Sequence, residues 1–320
     1  MQRKLILIFI DGIGIGENNK NNPFFLEKSL YFSHFKNEFK NGIKIFKKNN
    51  FIVFSLNPSL DINGIPQSAT GQSSIFTGIN TAKILNQHLT GFPNRELRRI
   101  VMKNNLLLKL KQRGLRVKFI NSYPLFADEL SKGYLKIDSS GYFILKNKNN
   151  ESLTKFLKKI SVTTLLALSI KQKFYGLSDL INKRTIYHDF TNNFLISKGI
   201  NIPQFTPDIA GEILVKNLTY YDVILYEYFL TDKIGHKPST DNAITTVKNL
   251  DKFVNSIINL VNLKKTDIFI FSDHGNFEDL SIRTHTKNNV PFIHIGESIN
   301  FRHKINNITD IYKYILNLKQ

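Results

Sequence analysis

The sequence predicts an α/β protein: a mostly parallel central sheet with helices on both faces and a small inserted cap. Three observations carry this reading. Apolar, β-branched runs of strand length alternate with segments of helical period, as they do where a parallel sheet is covered by helices. Over 320 residues, 42% hydrophobic and 12% aromatic content supplies a core and argues against disorder. The alternation breaks over one stretch, 125–204, which is read as the insertion.

The first strand is Lys4–Ile10. Arg3 and Lys4 before an apolar stretch imitate a secretion signal, but the stretch stops at Asp11 without a cleavage pattern, so it reads as a buried strand. Further strands are expected at Phe51–Leu56, Arg116–Asn121, Asp222–Tyr228, Asp267–Phe271 and Pro291–Ile295. Helices are expected at Gly71–Thr81, Glu96–Arg113, Pro207–Asn217, Asn242–Leu263 and Ile308–Leu318. Within 125–204, Tyr134–Ile137 and Tyr142–Leu145 flank Asp-Ser-Ser-Gly, a hairpin signal, and a helical stretch follows from Glu151 to Phe174. The expected domains are therefore 1–124 with 205–320 as one α/β unit, and 125–204 as a cap subdomain.

Composition removes several function classes. The absence of Cys excludes a disulfide scaffold, a zinc ribbon, an iron–sulfur protein and a Cys nucleophile. The best apolar run, Ile160–Ile170, is far shorter than the roughly 20 residues of a membrane span. A cytoplasmic protein without membrane partners is expected. The net charge is +19, from 44 Lys and Arg against 25 Asp and Glu. The surplus is densest over 101–175, where a basic wall facing an anionic ligand and a solvated Lys-rich surface are both open readings. Charge alone admits nucleic-acid binding, but no zinc-finger, RRM or KH signature supports a specific nucleic-acid partner.

Ligands of open parallel sheets bind beyond the carboxyl ends of the strands. Acidic and imidazole side chains gather there. Asp11 follows the first strand, Asp232 and His236 follow Asp222–Tyr228, Asp273 and His274 follow Asp267–Phe271, and His285 lies eleven residues further on. A mixed carboxylate and imidazole set suits Mn, Zn or Fe better than Mg or Ca. Each piece also has a plainer reading. Asp273-His274-Gly-Asn has the composition of a turn, and Asp232 and His236 have the spacing of a helical surface pair. Asp11-Gly-Ile-Gly-Ile-Gly resembles a dinucleotide loop, but Glu17 stands where that fingerprint needs its third Gly. The segment Gly64–Ser74 leads into a helix, where Ser68 or Thr70 is either a helix cap or a nucleophile near the positive helix end.

Taken together, Phe9-Ile-Asp11-Gly-Ile-Gly, Ser68-Ala-Thr-Gly-Gln, Asp232-Lys-Ile-Gly-His236, Ser272-Asp273-His274-Gly-Asn-Phe-Glu278 and Thr284-His285-Thr-Lys-Asn-Asn-Val-Pro291 resemble the alkaline phosphatase superfamily. The branch they are most similar to holds cofactor-independent phosphoglycerate mutase and phosphopentomutase. The resemblance implies an alkaline phosphatase-like fold and two divalent metal ions, Mn2+ or Zn2+. It implies that Asp11, Asp273, His274 and the nucleophile hold one ion, and Asp232, His236 and His285 the other. Ser68 would be the nucleophile, with Thr70 as the fallback. It further implies a phosphomutase or phosphatase that acts on a small phosphorylated substrate through a phosphoserine. The alternatives are a phosphodiesterase of the same superfamily and a basic, non-catalytic nucleic-acid-binding protein. Two departures stand out. Gln72 occupies a position where mutases of this branch usually carry His, and the expected cap is shorter than theirs.

Overall fold

The computed structural model describes residues 3–33, 45–48, 50–131, 135–137, 143–145, 151–298 and 305–318. Strand β1, Lys4–Ile10, is buried from Leu5 onward because it lies inside a seven-stranded sheet. Its side chains alternate between two apolar layers. Leu5, Leu7 and Phe9 enter one, and Ile6, Ile8 and Ile10 enter the other. A strand buried on both faces has no polar face to show, which explains the unbroken apolar run in the sequence.

The remaining strands are β2 (Ile45–Lys48), β3 (Phe51–Leu56), β4 (Val117–Phe119), β5 (Leu135–Ile137), β6 (Phe143–Leu145), β7 (Val223–Tyr228), β8 (Thr266–Phe271) and β9 (Val290–Ile295). The large sheet has the order β2-β3-β9-β8-β1-β7-β4, and β5 pairs with β6 in a separate antiparallel hairpin. β4, β7, β1 and β8 are a parallel block, with Phe9 opposite both Glu227 and Phe271. β9 runs against β8 and against β3, so β3 shares the direction of the block. This places the exits of β1, β3, β7 and β8 and the entry to β9 along one edge of the sheet.

Several expected elements have different limits. The helix expected at Glu96–Arg113 is two, Arg95–Lys103 and Leu106–Gln112, because Asn105 leaves the helix and caps the second. Its side-chain oxygen accepts the Leu108 amide at 2.9 Å. The stretch Glu151–Phe174 likewise divides into Glu151–Lys158 and Val162–Ser169, with Ser161 as the cap between them. The helix expected at Gly71–Thr81 runs over Ser68–Thr77 and ends where Gly78 turns left-handed at φ +69°. β4 is shorter than the expected Arg116–Asn121, and β2 was not legible as a strand. Tyr134, Tyr142 and the hairpin loop lie outside the described residues.

The span 125–204 is tied closely to the sheet. Leu165 and Leu166 of the helix Val162–Ser169 join the same apolar cluster as Leu5, Leu7 and Phe9. The buried Arg98 guanidinium donates to the carbonyls of Pro93, Leu157 and Lys158, fastening Glu151–Lys158 to the helix Arg95–Lys103. Among the described residues, no helix is long and apolar enough to cross a membrane.

Candidate metal centre

The first turn after β1 sets the floor of the site. Asp11 stays in the sheet ladder through its amide, 2.9 Å from the Tyr228 carbonyl. The next residue, Gly12, has φ +76°, and a Cβ there would lie 2.9 Å from both Cα and Cβ of Asp232. Only glycine lets this turn touch the helix Leu230–His236. Gly12→Ala is therefore expected to cost about 1–3 kcal/mol of backbone strain, before steric displacement is counted. A thermal melt reads it as a lowered Tm, and an unchanged Tm would contradict this close approach. The second glycine has a different reason. A Cβ on Gly14 would fall 2.1 Å from the Glu278 carboxylate, whose Oε2 accepts the Gly14 amide at 2.9 Å. The glycine run makes room for a carboxylate, which accounts for its failure to match a dinucleotide loop.

Helical spacing puts Asp232 and His236 on one face of Leu230–His236, and His236 Nε2 lies 3.5 Å from Asp232 Oδ1. His285, brought in ahead of β9, puts its Nε2 3.4 Å from the same carboxylate oxygen and 3.1 Å from His236 Nε2. Beyond β8, His274 Nε2 lies 3.2 Å from Asp11 Oδ1 and 3.6 Å from Asp273 Oδ2. The His274 and His285 rings stack at 3.7 Å between centroids. Ser68 Oγ sits 2.9 Å from His274 Nε2.

The tautomers of these histidines follow from their outer partners. His236 Nδ1 lies 2.8 Å from the Arg283 carbonyl, His285 Nδ1 lies 2.9 Å from the Pro66 carbonyl, and His274 Nδ1 lies 3.3 Å from the Gly275 carbonyl. A carbonyl only accepts, so each Nδ1 carries the proton. In the neutral rings every Nε2 then presents a lone pair inward, toward carboxylates. Lone pairs 3.1 Å apart beside an anion repel unless a cation lies among them. Asp11 Oδ1 and Asp273 Oδ2 are buried and accept no hydrogen bond. Two overlapping ligand groups result, Asp232 with His236 and His285, and Asp11 with Asp232 and His274, each with its ligand atoms within 4.8 Å of one another. Inward nitrogens fixed by outer hydrogen bonds, together with orphaned carboxylate oxygens, are the chemistry of a divalent metal site. The residues fit such a group.

The electrostatics of the metal-free chain agree. Burial, with Asp273 and Asp232 nearby, pushes the Asp11 carboxyl up to about 7. Burial likewise raises Asp273. Burial opposes charge on His274, but Asp273, Asp11 and Asp232 outweigh it and raise the ring to about 10. Asp232 goes the other way: burial would raise it, yet His285, His274 and the Asn276 amide hold it well below the usual carboxylate range. Protons thus stand in for missing positive charge.

Six of the sequence-expected residues, Asp11, Asp232, His236, Asp273, His274 and His285, converge here with Ser68. Thr70 does not. Its hydroxyl is buried, donates to the Gln67 carbonyl at 3.2 Å and accepts the Leu89 amide at 3.3 Å. Gln72 donates from Nε2 to Asp11 Oδ2 at 3.2 Å, so it orients a carboxylate rather than adding an imidazole. Ser68 opens the helix Ser68–Thr77, whose cap residue Gln67 makes no side-chain cap bond. The first amides of that helix are left for another acceptor, and an anion is favoured there. Sequence reasoning assigned no role to Asn276 or Glu278. Asn276 Nδ2 donates to Asp232 Oδ1 at 2.8 Å, while Glu278 accepts the Asn276 amide at 2.7 Å. Their closeness to Asp273 was the available signal.

The profile of the metalloenzyme superfamily matches residues 3–318. Over 103 residues the chain is 26% identical to the 2,3-bisphosphoglycerate-independent phosphoglycerate mutase of Desulforudis audaxviator, a match covering 30% of this chain and 20% of that protein. Over 105 residues it is 33% identical to the enzyme of the same name from Pseudomonas fluorescens, covering 31% and 20%. The matches thus span about a fifth of the length of these curated relatives. Among solved structures, PH0037 from Pyrococcus horikoshii aligns with a TM-score of 0.52 at 13% identity, over 99% of this chain and 97% of that one. Alkaline phosphatase from the Antarctic bacterium TAB5 aligns with a TM-score of 0.52 at 11% identity, over 99% and 98%. Those two likenesses establish the shared fold. With the profile spanning nearly every residue, the chain belongs to the metalloenzyme superfamily, on an alkaline phosphatase-like fold.

Proposed function

We propose that this chain is a phosphoryl-transfer enzyme that uses two divalent metal ions, Mn2+ or Zn2+, to act on a phosphomonoester as a phosphomutase or phosphatase. The observation that carries the reading is the convergence of three inward Nε2 atoms and three carboxylates beside the Ser68 hydroxyl. Asp11, Asp273, His274 and Ser68 would hold one ion, and Asp232, His236 and His285 the other. Bound there, the ions would supply Lewis-acid polarisation of a phosphoryl oxygen and of the attacking hydroxyl.

The chain's own residues do the rest. The open N-terminus of Ser68–Thr77 receives the phosphoryl oxygens on its free amides. Ser68 Oγ gives up its proton and bonds to phosphorus as the P–O bond to the ester oxygen breaks; that oxygen takes up a proton and leaves as the alcohol, giving a phosphoserine. Water, or a second hydroxyl of the retained alcohol, then takes the phosphoryl group and frees Ser68. Residues 125–204 act as the cap, with Leu125, Phe126 and Phe156 forming part of the wall over the site. A cap that holds the alcohol and excludes water gives a mutase, and one that admits water gives a phosphatase. A small phosphorylated substrate, a cytoplasmic location and no specific nucleic-acid partner complete the proposal.

The test is acid quench of the metal-loaded protein during turnover, with the phosphorylated residue located by mass spectrometry. The label is expected on Ser68. Ser68→Ala is expected to lower kcat/KM by roughly ten-thousandfold or more, as loss of a nucleophile does. Thr70→Val, which loses only helix-end hydrogen bonds, is expected to stay within about tenfold of the parent. A label on any other residue, or full activity in Ser68→Ala, would overturn the assignment.

A further inference from the structure

Ser68, Asp11 and Asp232 line a cavity of about 500 Å3. The same cavity is rich in aromatic rings. Phe92, Tyr123, Phe126, Phe156, Tyr187 and Phe229 line it. Most of these rings are held by other rings. Phe126 and Phe156 lie 5.0 Å apart, and Tyr123 meets Phe156 edge-on at 6.2 Å. Elsewhere in the lining, His188 stacks on Phe229 at 4.1 Å. Burial and the nearby Lys233 depress His188 to about 3, so the ring is neutral and serves as another flat wall. Phe92 and Leu125 are the exposed apolar side chains at the lining, 46% and 70% accessible.

Most of the polar side chains deep in the lining are engaged with one another or with the backbone; away from Asp11, Ser122 Oγ and His188 Nδ1 are the buried lining atoms left without a hydrogen-bond partner. Asn121 exchanges two hydrogen bonds with the Glu227 backbone, at 2.8 and 2.9 Å. The Glu227 carboxyl accepts from Thr163 at 2.7 Å, and Thr164 bonds Tyr123 and Ser161 at 2.6 and 2.8 Å. No Arg occurs among the described lining residues, and the two Lys, Lys159 and Lys233, are exposed. A sugar phosphate needs donors and acceptors for several hydroxyls, and a glycerate phosphate needs a cation for its carboxylate, best met by a bidentate Arg. This cavity offers chiefly aromatic, apolar surface instead, with too few free polar atoms for a polyol.

We infer that the phosphomonoester this centre acts on is the ester of an apolar, ring-bearing alcohol, seated between the Phe126/Phe156 wall and the Phe229/His188 wall. The inference rests on the phosphoryl-transfer reading for its chemistry, and on the cavity alone for its binding. It places the discrimination among alcohols in the aromatic walls and makes phosphoglycerate and pentose phosphates poor substrates.

The test compares esters of primary alcohols, so that leaving-group reactivity is matched. The probes are 2-(1-naphthyl)ethyl phosphate, ribose 5-phosphate and 3-phosphoglycerate, the last as the acidic comparison. The metal-loaded chain is expected to favour the naphthylethyl ester by at least about tenfold in kcat/KM, the lower end of what a fitted apolar pocket discriminates. Isothermal titration with 2-(1-naphthyl)ethanol reads the pocket without any chemistry, and binding is expected to weaken at least about tenfold in Phe156→Ala. Because Phe156 also packs on Tyr123 and Phe126, the exposed Phe92→Ser supplies a second variant with little core packing to lose; weaker alcohol binding is expected there too. Equal or better use of ribose 5-phosphate or 3-phosphoglycerate, with Ser68 still labelled, would overturn the inference and leave phosphoryl transfer standing. Alcohol binding that both variants weaken, without turnover or label from any ester, would keep the pocket and overturn the chemistry. Absence of alcohol binding would overturn the pocket directly.

Discussion

Asp232→Ala is expected to remove more metal than any other single ligand substitution. The residue belongs to both ligand groups: with His236 and His285 on one side, and with Asp11 and His274 on the other. Its Oδ1 lies 3.4 Å from His285 Nε2 and 3.5 Å from His236 Nε2. Removing that charge leaves three inward imidazoles with less anion to balance a bound cation. Metal analysis after gel filtration is expected to fall from about two ions per chain to below one, the result of removing a ligand from a closed set. Since a metal supplies several kcal/mol of transition-state stabilisation, kcat/KM is expected to fall by about a thousandfold. His236→Ala is the comparison. His236 is the exposed member of the set, so its loss leaves the Asp11, Asp232 and His274 group intact. Asp232→Asn separates charge from shape, because its side-chain oxygen still accepts from Asn276. Two ions per chain in Asp232→Asn and Asp232→Ala would remove Asp232 from the centre.

Much of this arrangement was legible in the sequence because it depends on strand ends. The apolar runs fixed β1, β3, β7, β8 and β9 to within a residue, and the residue after a buried strand cannot be far from the sheet edge. Asp11, Asp232 and Asp273 could therefore be placed at the sheet edge without any view of the fold. The direction of β9 was not legible. An apolar run reads the same in parallel and antiparallel pairing, yet it is the antiparallel course of β9 that brings His285 to the edge from its entry end. Helix limits failed where a side-chain cap outweighed the apolar period, at Asn105 and Ser161. The residues alone did not separate Ser68 from Thr70, because both have the hydroxyl and both stand at the helix start; only the family resemblance ranked Ser68 first. What separates them is the one-turn geometry that sends Thr70 back to Gln67 and Ser68 toward His274. The aromatic cavity was the least visible feature, since its walls come from segments distant in sequence, from Phe92 to Phe229.

The stabilisation of the chain by divalent metal is expected to grow as pH rises, because protons and metal compete for the same atoms. In the metal-free chain Asp11 titrates at about 7 against an ordinary 3.8. Between those values the folded chain keeps a proton that the unfolded chain has released. Raising the pH across that window therefore removes stability. His274, raised to about 10 from 6.5, has the same sign: its contribution is present below 6.5 and is lost as pH climbs through 10. Asp232 has the opposite sign, with a depressed folded value, but its contribution is lost only in acid below the ordinary carboxylate value and is constant above neutrality. Lys118, moved to about 8 by burial, titrates in both the loaded and the stripped protein, whereas Glu227, moved to about 8 by burial with a further push from Asp11, is linked to the centre. The difference between the two melting curves therefore reports the centre together with Glu227, and a cation beside Asp11 lowers Glu227 as well, which has the same sign. A cation bound among Asp11, Asp273 and His274 must displace their protons, so its apparent affinity rises with pH and the stabilisation rises with the logarithm of that affinity. Melting with Mn2+ or Zn2+ against melting with chelator, from about pH 6 to 9, is expected to give a Tm gap that widens steadily. A gap that stays flat or narrows would mean that the metal binds without displacing protons. In that case the buried carboxylates and His274 would not be its ligands.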